Sequence, residues 1–307
     1  MFTFSEAELA LNGREEFIVK RYDECLVVVD YIVAFPDSFE GLRRNLRGVV
    51  FDERTGEILS LPLHKFYNVN QTEQTQFRLL KDRRATIYEK LDGSMIHFFI
   101  HPIRNQLLAS TRKSTETSQA KTALTMAISA GLEPEIRRSI DEGWTPIFEY
   151  VAASNQIVVE YPESRLVYLL SRNRKTGEYR CDIDRFPDSA QRFEFAFSDL
   201  LSNLEKEDFE GYVCHLDDGQ IVKAKTSWYL QCHRCVDAMM RPKYKLYEAV
   251  FSGVIDDILP TAPDKYRGAL EAIYHEAQSD WLHERQRLER TARNALLSLL
   301  MSAKSGR

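Results

Sequence analysis

The stretch Tyr88-Glu89-Lys90-Leu91-Asp92-Gly93-Ser94 sets a lysine, a carboxylate and a glycine at the end of an apolar run. Lys90 is the candidate nucleophile. A free lysine amine has a pKa near ~10.4, so at neutral pH it is an ammonium with no lone pair to offer phosphorus. Burial or a second cation nearby can remove that proton. Asp92 would lie on the same side of an extended strand as Lys90, where it can orient the amine or hold a metal-bound water. Gly93 would let the backbone turn and leave room for a ligand. A strand end followed by a turn, with a surface lysine, has the same letters, so the rest of the chain must supply the partners an activated lysine requires.

Several such partners stand on predicted strands. The β-rich runs 17–20 and 25–33, the second containing Tyr31, are followed by Leu46-Arg47-Gly48-Val49-Val50-Phe51 and, past an Asp-Glu-Arg-Thr-Gly turn, by residues 57–61. Arg47 at the mouth of its strand reads equally as a solvated arginine. Lys65-Phe66-Tyr67 is either a core corner or a shelf on which a base could stack. Glu149, flanked by Ile147, Phe148 and Tyr150, either points outward or is held inside by a partner, because an unpaired buried charge is costly. Lys223 and Lys225 project from one face of a strand, as edge-protecting lysines also do.

Further strands are expected at residues 86–89, 95–100, 107–113, 145–150, 157–159, 165–171, 209–214 and 220–225. Helices are expected at the N-terminus with Ser5 as cap, at 116–130, from Pro134 to Gly143, at 188–206, and from Leu230 onward. An amphipathic pattern on Leu288, Leu296, Leu297, Leu299 and Leu300 closes the chain, either as one face of a small bundle or as a basic surface for a phosphate backbone.

Composition bounds the class. The 307 residues, 44% apolar and 28% charged, suit an ordinary globular protein of two domains. With no leader-like N-terminus and no apolar run approaching ~18 residues, a cytoplasmic protein without a membrane span is expected. A net charge of −5 excludes a uniformly basic coat but not a positive groove. The 5 cysteines read as reduced thiols, and Cys232-His233-Arg234-Cys235, lacking a second pair, as a helix-borne coincidence in preference to a zinc site. P-loop and dinucleotide-binding glycine motifs are absent, so side chains must hold any nucleotide phosphates.

In order, Arg47, Lys65-Phe66, Lys90-x-Asp92-Gly93, Arg112, Glu149, Glu210-Gly211 and Lys223-x-Lys225 resemble the covalent nucleotidyltransferases, and within them the phage T4 RNA ligase 1 family. Longer strings carry the likeness: Lys65-Phe66-Tyr67-Asn68-Val69-Asn70, Phe148-Glu149-Tyr150-Val151-Ala152 and Lys223-Ala224-Lys225-Thr226-Ser227-Trp228-Tyr229. It runs from about residue 25 to 257 and fades by about 260.

The resemblance implies an α+β fold: an ATP-grasp-like ligase domain of antiparallel sheets with flanking helices over residues 1–235, and a small all-α domain over 236–307. It implies that Lys90 takes AMP from ATP. Lys223 and Lys225 would grip the triphosphate and lower the pKa of Lys90. Arg47, Lys65, Phe66, Glu89, Gly93, Tyr31 and Arg112 would contact the nucleotide. Arg112 stands where the phage T4 enzyme has a lysine, a change of donor geometry. Glu149 would face the ribose, and Asp92 and Glu210 would orient waters on Mg²⁺ or Mn²⁺. Asp256 and Asp257 match a metal site in the helical domain, or are two solvated helix-end aspartates. The implied partner of this monomer is RNA with 5′-phosphate and 3′-hydroxyl ends, a nicked tRNA among them. The rivals are a DNA ligase, disfavoured because residues 230–307 hold no alternating strands for a barrel, a capping guanylyltransferase, and a non-catalytic RNA-binding descendant.

Overall fold

The computed structural model describes residues 1–22 and 25–305, in two compact units, Met1–Thr226 and Ser227–Arg307. The division falls where the last strand ends and an all-helical segment begins, ahead of the boundary at 235 expected from sequence.

Three sheets build the first unit. β1 (Phe17–Tyr22), β2 (Leu26–Tyr31), β3 (Val49–Asp52) and β4 (Ile58–Ser60) form an antiparallel meander in that order. The second sheet runs β12 (Arg192–Phe193), β6 (Ala85–Lys90), β13 (Gly211–Leu216), β14 (Ile221–Lys225), β5 (Tyr67–Asn68), with only β14 and β5 parallel. The third runs β11 (Tyr179–Arg180), β10 (Arg165–Asn173), β9 (Trp144–Val151), β7 (Ser94–Ile100), β8 (Leu107–Thr111), all antiparallel. β6 and β7 are consecutive in sequence but belong to different sheets. The chain therefore crosses between sheets at Leu91-Asp92-Gly93, and Lys90 is the last residue before the crossing.

The remaining helices of this unit are α1 (Phe4–Ala10), α2 (Phe77–Leu80), α3 (Ser118–Ser129) and α4 (Glu133–Asp141). Ala120, Ala123 and Ala127 of α3 and Ile136 and Ile140 of α4 recur at helical spacing and bury against Phe98, Phe148 and Tyr168. Each fully buried aromatic there contributes about 1.5–3 kcal/mol of transfer free energy. That packing fixes the third sheet, and with it Glu149 on β9.

Three local expectations are corrected. The cap of α1 is Thr3, which forms a capping box with Glu6, and not Ser5. Ile157–Val159 is not a strand, because the amides of Val158 and Val159 donate to the Asp92 carboxylate at 2.7 and 2.9 Å and are lost to any ladder. Residues 188–206 are not one helix but β12 followed by 3₁₀ turns at Phe197–Asp199 and Leu201–Leu204. Phe193 and Phe195 alternate there with polar residues and both pack on Tyr212, a period of two that overrides the segment's helix formers.

The second unit contains α5 (Ser227–Met239), α6 (Lys243–Phe251), α7 (Val254–Ile258) and α8 (Asp264–Ser305) around Cys235, Ala238, Val250, Ile255, Leu270 and Ala277. Among the residues of α8 whose side chains are described, burial ends at Ala277, since the shorter helices cannot cover all 42 residues of the helix. Leu288, Leu296 and Leu297 are accordingly exposed and build no bundle face, while the side chains of Leu299 and Leu300 lie outside the described residues. Cys232 and Cys235 are buried in α5, and no group of three potential metal ligands occurs among the described residues. No helix among them is long and apolar enough to cross a membrane.

Gly93 is a glycine for a reason other than the one expected. A Cβ there would lie 2.3 Å from the Tyr150 carbonyl and 2.9 Å from Val151 Cγ1, so its missing side chain admits the backbone of β9 and not a ligand. Gly93→Ala is expected to cost about 1–3 kcal/mol, read as a lower urea midpoint at unchanged slope; an unshifted midpoint would contradict the close approach.

Candidate active site

Register places the cations. Lys90 pairs with Gly211, and Gly211 on its other side pairs with Lys225, so the two lysines flank one glycine across three neighbouring strands. Glu210, the residue before that glycine, reaches between them: its Oε1 is 2.7 Å from Lys90 Nζ and 3.1 Å from Lys225 Nζ. Glu210 is 3% exposed, and its Oε2 is buried with no hydrogen-bond partner among the described residues. Burial alone would lower the pKa of the Lys90 ammonium, but the carboxylates of Glu210 and Glu149 outweigh it and hold the pKa above the usual lysine value.

The expectation that neighbouring cations lower the pKa of Lys90 is therefore corrected, because a carboxylate stands between it and Lys225. The cation that yields is Lys223, whose pKa is brought down to about 7 by burial and then by Lys90, Arg47, Lys225 and Lys65. Burial pushes the Glu149 carboxyl up to about 8, with Lys90 opposing and Glu210 reinforcing the rise. Glu149, partly buried, lines the same cavity as Lys90 and so points inward, the second of the alternatives the sequence left open.

A cavity of about 450 Å³ gathers Lys90, Arg47, Phe66, Glu89, Gly93, Arg112, Glu149 and Lys223 on its lining. Lys223 stands over the Phe66 ring, 5.4 Å from its centroid. Tyr31 and Lys65 form an aromatic and cationic cluster with Arg112: the Arg112 guanidinium lies 4.4 Å from the Tyr31 centroid and Lys65 Nζ 5.2 Å from it. Arg112 Nε is 3.3 Å from the buried carboxylate of Asp30. Gly48, at φ 85°, makes this possible, since a Cβ there would lie 2.7 Å from the Arg112 carbonyl. Burial would raise the Tyr31 phenol, but Arg112, Arg47 and Lys65 together pull it below its ordinary value.

Asp92 acts differently from the expectation. It is 2% exposed and not part of the cavity lining; one carboxylate oxygen receives the Val158 and Val159 amides while its own N–H donates to Tyr161 Oη at 2.9 Å. It ties the crossing at residues 91–93 to the 157–159 loop. Asp256 and Asp257 are exposed in the first turn of α7, where Asp257 shares a pocket with Arg234, Arg241 and one other carboxylate, Asp237.

Sequence reasoning missed Ser94, Lys113, Thr117 and Gln119, which also line the cavity. Asn155 organises two of them, accepting from Ser94 Oγ at 3.1 Å and Gln119 Nε2 at 3.4 Å while donating to the Tyr150 carbonyl at 2.9 Å. The helix-capping pattern at Thr117 was legible; that it caps a helix facing the cavity was not.

Sheets that exchange strands beside a lysine, with arginines and lysines in place of a phosphate-binding loop, define the nucleotidyltransferase fold of ATP-dependent ligases. In that fold the chain is similar to a putative ATP-dependent DNA ligase from Aquifex aeolicus, with a TM-score of 0.55 and 13% identity over 93% of this chain and 76% of the other. Residues 45–232 match the RNA ligase family, and the chain belongs to it. It is 28% identical to a putative RNA ligase of Thermovibrio ammonificans over 84% of this chain and 71% of that protein. It is 27% identical to RNA ligase 1 of bacteriophage TS2126, over 79% of this chain and 65% of the relative.

The crowding at Lys223 has a measurable sign. Its folded pKa, about 7, lies below the unfolded value, so the unfolded state binds more protons between there and ~10.5 and stability rises with pH across that window. Lys223→Met is expected to raise the stability of the ligand-free protein by about 1–2 kcal/mol at pH 7, after allowance for solvent screening. The gain should shrink toward pH 10, as read in melting temperatures at several pH values. A destabilised variant at pH 7 would contradict it.

Proposed function

We propose that the protein seals RNA in three phosphoryl transfers that begin at Lys90. Lys90 Nζ attacks the α-phosphorus of ATP, forming a P–N bond as the bond to the bridging oxygen breaks and pyrophosphate leaves. The AMP passes to a 5′-phosphate, releasing the lysine, and a 3′-hydroxyl then displaces AMP to form the phosphodiester. The substrate we infer is RNA with 5′-phosphate and 3′-hydroxyl ends, as in a nicked tRNA, and the protein acts as a cytoplasmic monomer.

One observation carries this reading. An amine is held 2.7 Å from a buried carboxylate, on the wall of a cavity that Arg47, Arg112 and Lys223 also line. Glu210 holds the Lys90 proton in the ligand-free state and is its nearest acceptor when the amine must attack. Lys223, Lys225, Arg47 and Lys65 would neutralise the triphosphate and the charge that builds at phosphorus. Glu149, protonated near neutral pH, would present a donor to the ribose.

A divalent metal fits the buried Glu210 Oε2, which has no hydrogen-bond partner among the described residues, the remaining ligands coming from phosphate oxygens and water, as suits Mg²⁺. When bound it supplies positive charge that weakens the hold of Glu210 on the Lys90 proton. Asp92, occupied by backbone amides, serves this arrangement by fixing the crossing.

Incubation with α-labelled ATP and Mg²⁺ followed by denaturing electrophoresis tests the first step. Label is expected on the wild type and not on Lys90→Ala; equal labelling of both would refute the assignment. Labelled GTP in place of ATP separates a capping enzyme, and joining of 5′-phosphorylated RNA but not the matching DNA identifies the polynucleotide.

A second test concerns the proton. Glu210 raises the Lys90 pKa, so Glu210→Gln is expected to move the rising limb of the pH profile for AMP transfer to lower pH, whatever its effect on the maximum rate. A limb displaced to higher pH would remove Glu210 from this role.

A further inference from the structure

The cleft does not end at the cavity that holds Lys90. On β13, Val213 lines that cavity, and His215, on the same face of the strand, lines a second one of about 730 Å³. Leu63 and Phe66 border the first cavity and His64 the second, so the segment from Pro62 to Phe66 is the partition between them.

Two guanidiniums line the second cavity without a compensating charge. Arg172, 4% exposed, donates Nε to the Gly177 carbonyl at 3.2 Å, Nη1 to the Pro62 carbonyl at 2.8 Å and Nη2 to Asn45 Oδ1 at 2.5 Å. Arg44 donates Nε to the Lys65 carbonyl at 2.9 Å and sets Nη2 3.2 Å from His64 Nε2, while its Nη1 has no partner among the described residues. Every acceptor is neutral. Glu178, the acid on the lining, accepts instead from Thr176 Oγ1 at 2.9 Å.

Hydrogen bonds to carbonyls satisfy a guanidinium's donors but leave its charge uncancelled, and buried uncancelled charge is expensive. His64 registers the resulting field: burial, then Arg172 and Arg44, bring its pKa down to about 3. In a chain of net charge −5, such a concave positive surface is not background. Arginine forks match phosphate geometry. The rings of Trp144 and Tyr179 complete the lining, and ring faces beside cations are what single-stranded nucleic acid uses. The triphosphate of ATP would already have its complement in Lys223, Arg47 and Arg112, which line the cavity on the other side of the partition.

We propose that this second cavity is a phosphate site for the RNA strand, in which Arg44 and Arg172 receive a backbone phosphate and Trp144 lies beside the adjoining base. The inference rests on the RNA-joining reading above and adds to it where the polynucleotide runs. By holding the Pro62 and Lys65 carbonyls, the same arginines link an occupied RNA site to the segment that carries Lys65 and Phe66.

Two variants of the full chain test it. Arg44→Gln removes the charge while keeping an amide donor for the Lys65 carbonyl; Thr176→Glu puts a carboxylate at the exposed mouth and leaves both arginines intact. Binding of a short fluorescent 5′-phosphorylated RNA is measured by anisotropy over a range of salt, beside the KM for ATP in labelling of Lys90. Arg44→Gln is expected to weaken RNA binding roughly tenfold and to reduce the salt slope by about 0.7, the value of one single-strand phosphate contact. Thr176→Glu should weaken RNA several-fold. RNA affinity and slope unchanged in both variants would overturn the proposal, as would a raised KM for ATP with RNA binding intact, which would give the arginines to the nucleotide. A wild type that labels Lys90 but binds no RNA overturns it as well. Failure of Lys90 labelling in a protein that still binds RNA through Arg44 would instead sink the enzymatic reading and leave this site standing.

Discussion

The structure turns on a single carboxylate placed between two ammonium groups. Glu210 draws Lys90 and Lys225 toward one buried point, and without its charge three lysines and an arginine would face one another across a small volume with little water to screen them. The balance it strikes is incomplete. Lys223 remains on the wrong side of it, and Glu149 is too desolvated to help. A ligand bearing several negative charges would complete what the protein leaves unfinished, and electrostatic preorganisation for phosphoryl transfer has that form: the donors are in place before the charge arrives.

Geometry supports the electrostatics through the strand crossing. Lys90 is the last residue of a strand in one sheet and Ser94 the first of a strand in another, and of the three residues between them Leu91 and Gly93 line the cavity. That turn is held by the missing side chain of Gly93 against β9 and by Asp92, whose carboxylate receives two loop amides. Much of the motif around Lys90 is therefore scaffolding for an amine.

The likeness to a DNA ligase at 13% identity, beside membership of the RNA ligase family, illustrates how one fold serves more than one polynucleotide. The arginine-lined cavity proposed for the RNA strand belongs to the same unit as the lysine cavity, across the Pro62–Phe66 segment from it.

The sequence determined a good deal. Alternating apolar residues fixed most strands, apolar residues at helical spacing fixed α3, a first-turn proline marked the start of α4, and the residue strings around Lys90, Glu149, Glu210 and Lys223 identified the family. It misjudged residues 157–159 and 188–206, because apolar content does not reveal that Asp92 will capture two amides or that alternating phenylalanines will meet Tyr212. Only the tertiary structure decided which lysine carries the depressed pKa and which way Glu149 faces. Both depend on distances between strands far apart in the chain, and electrostatic energy in a buried cavity varies too steeply with those distances for spacing along a sequence to specify it.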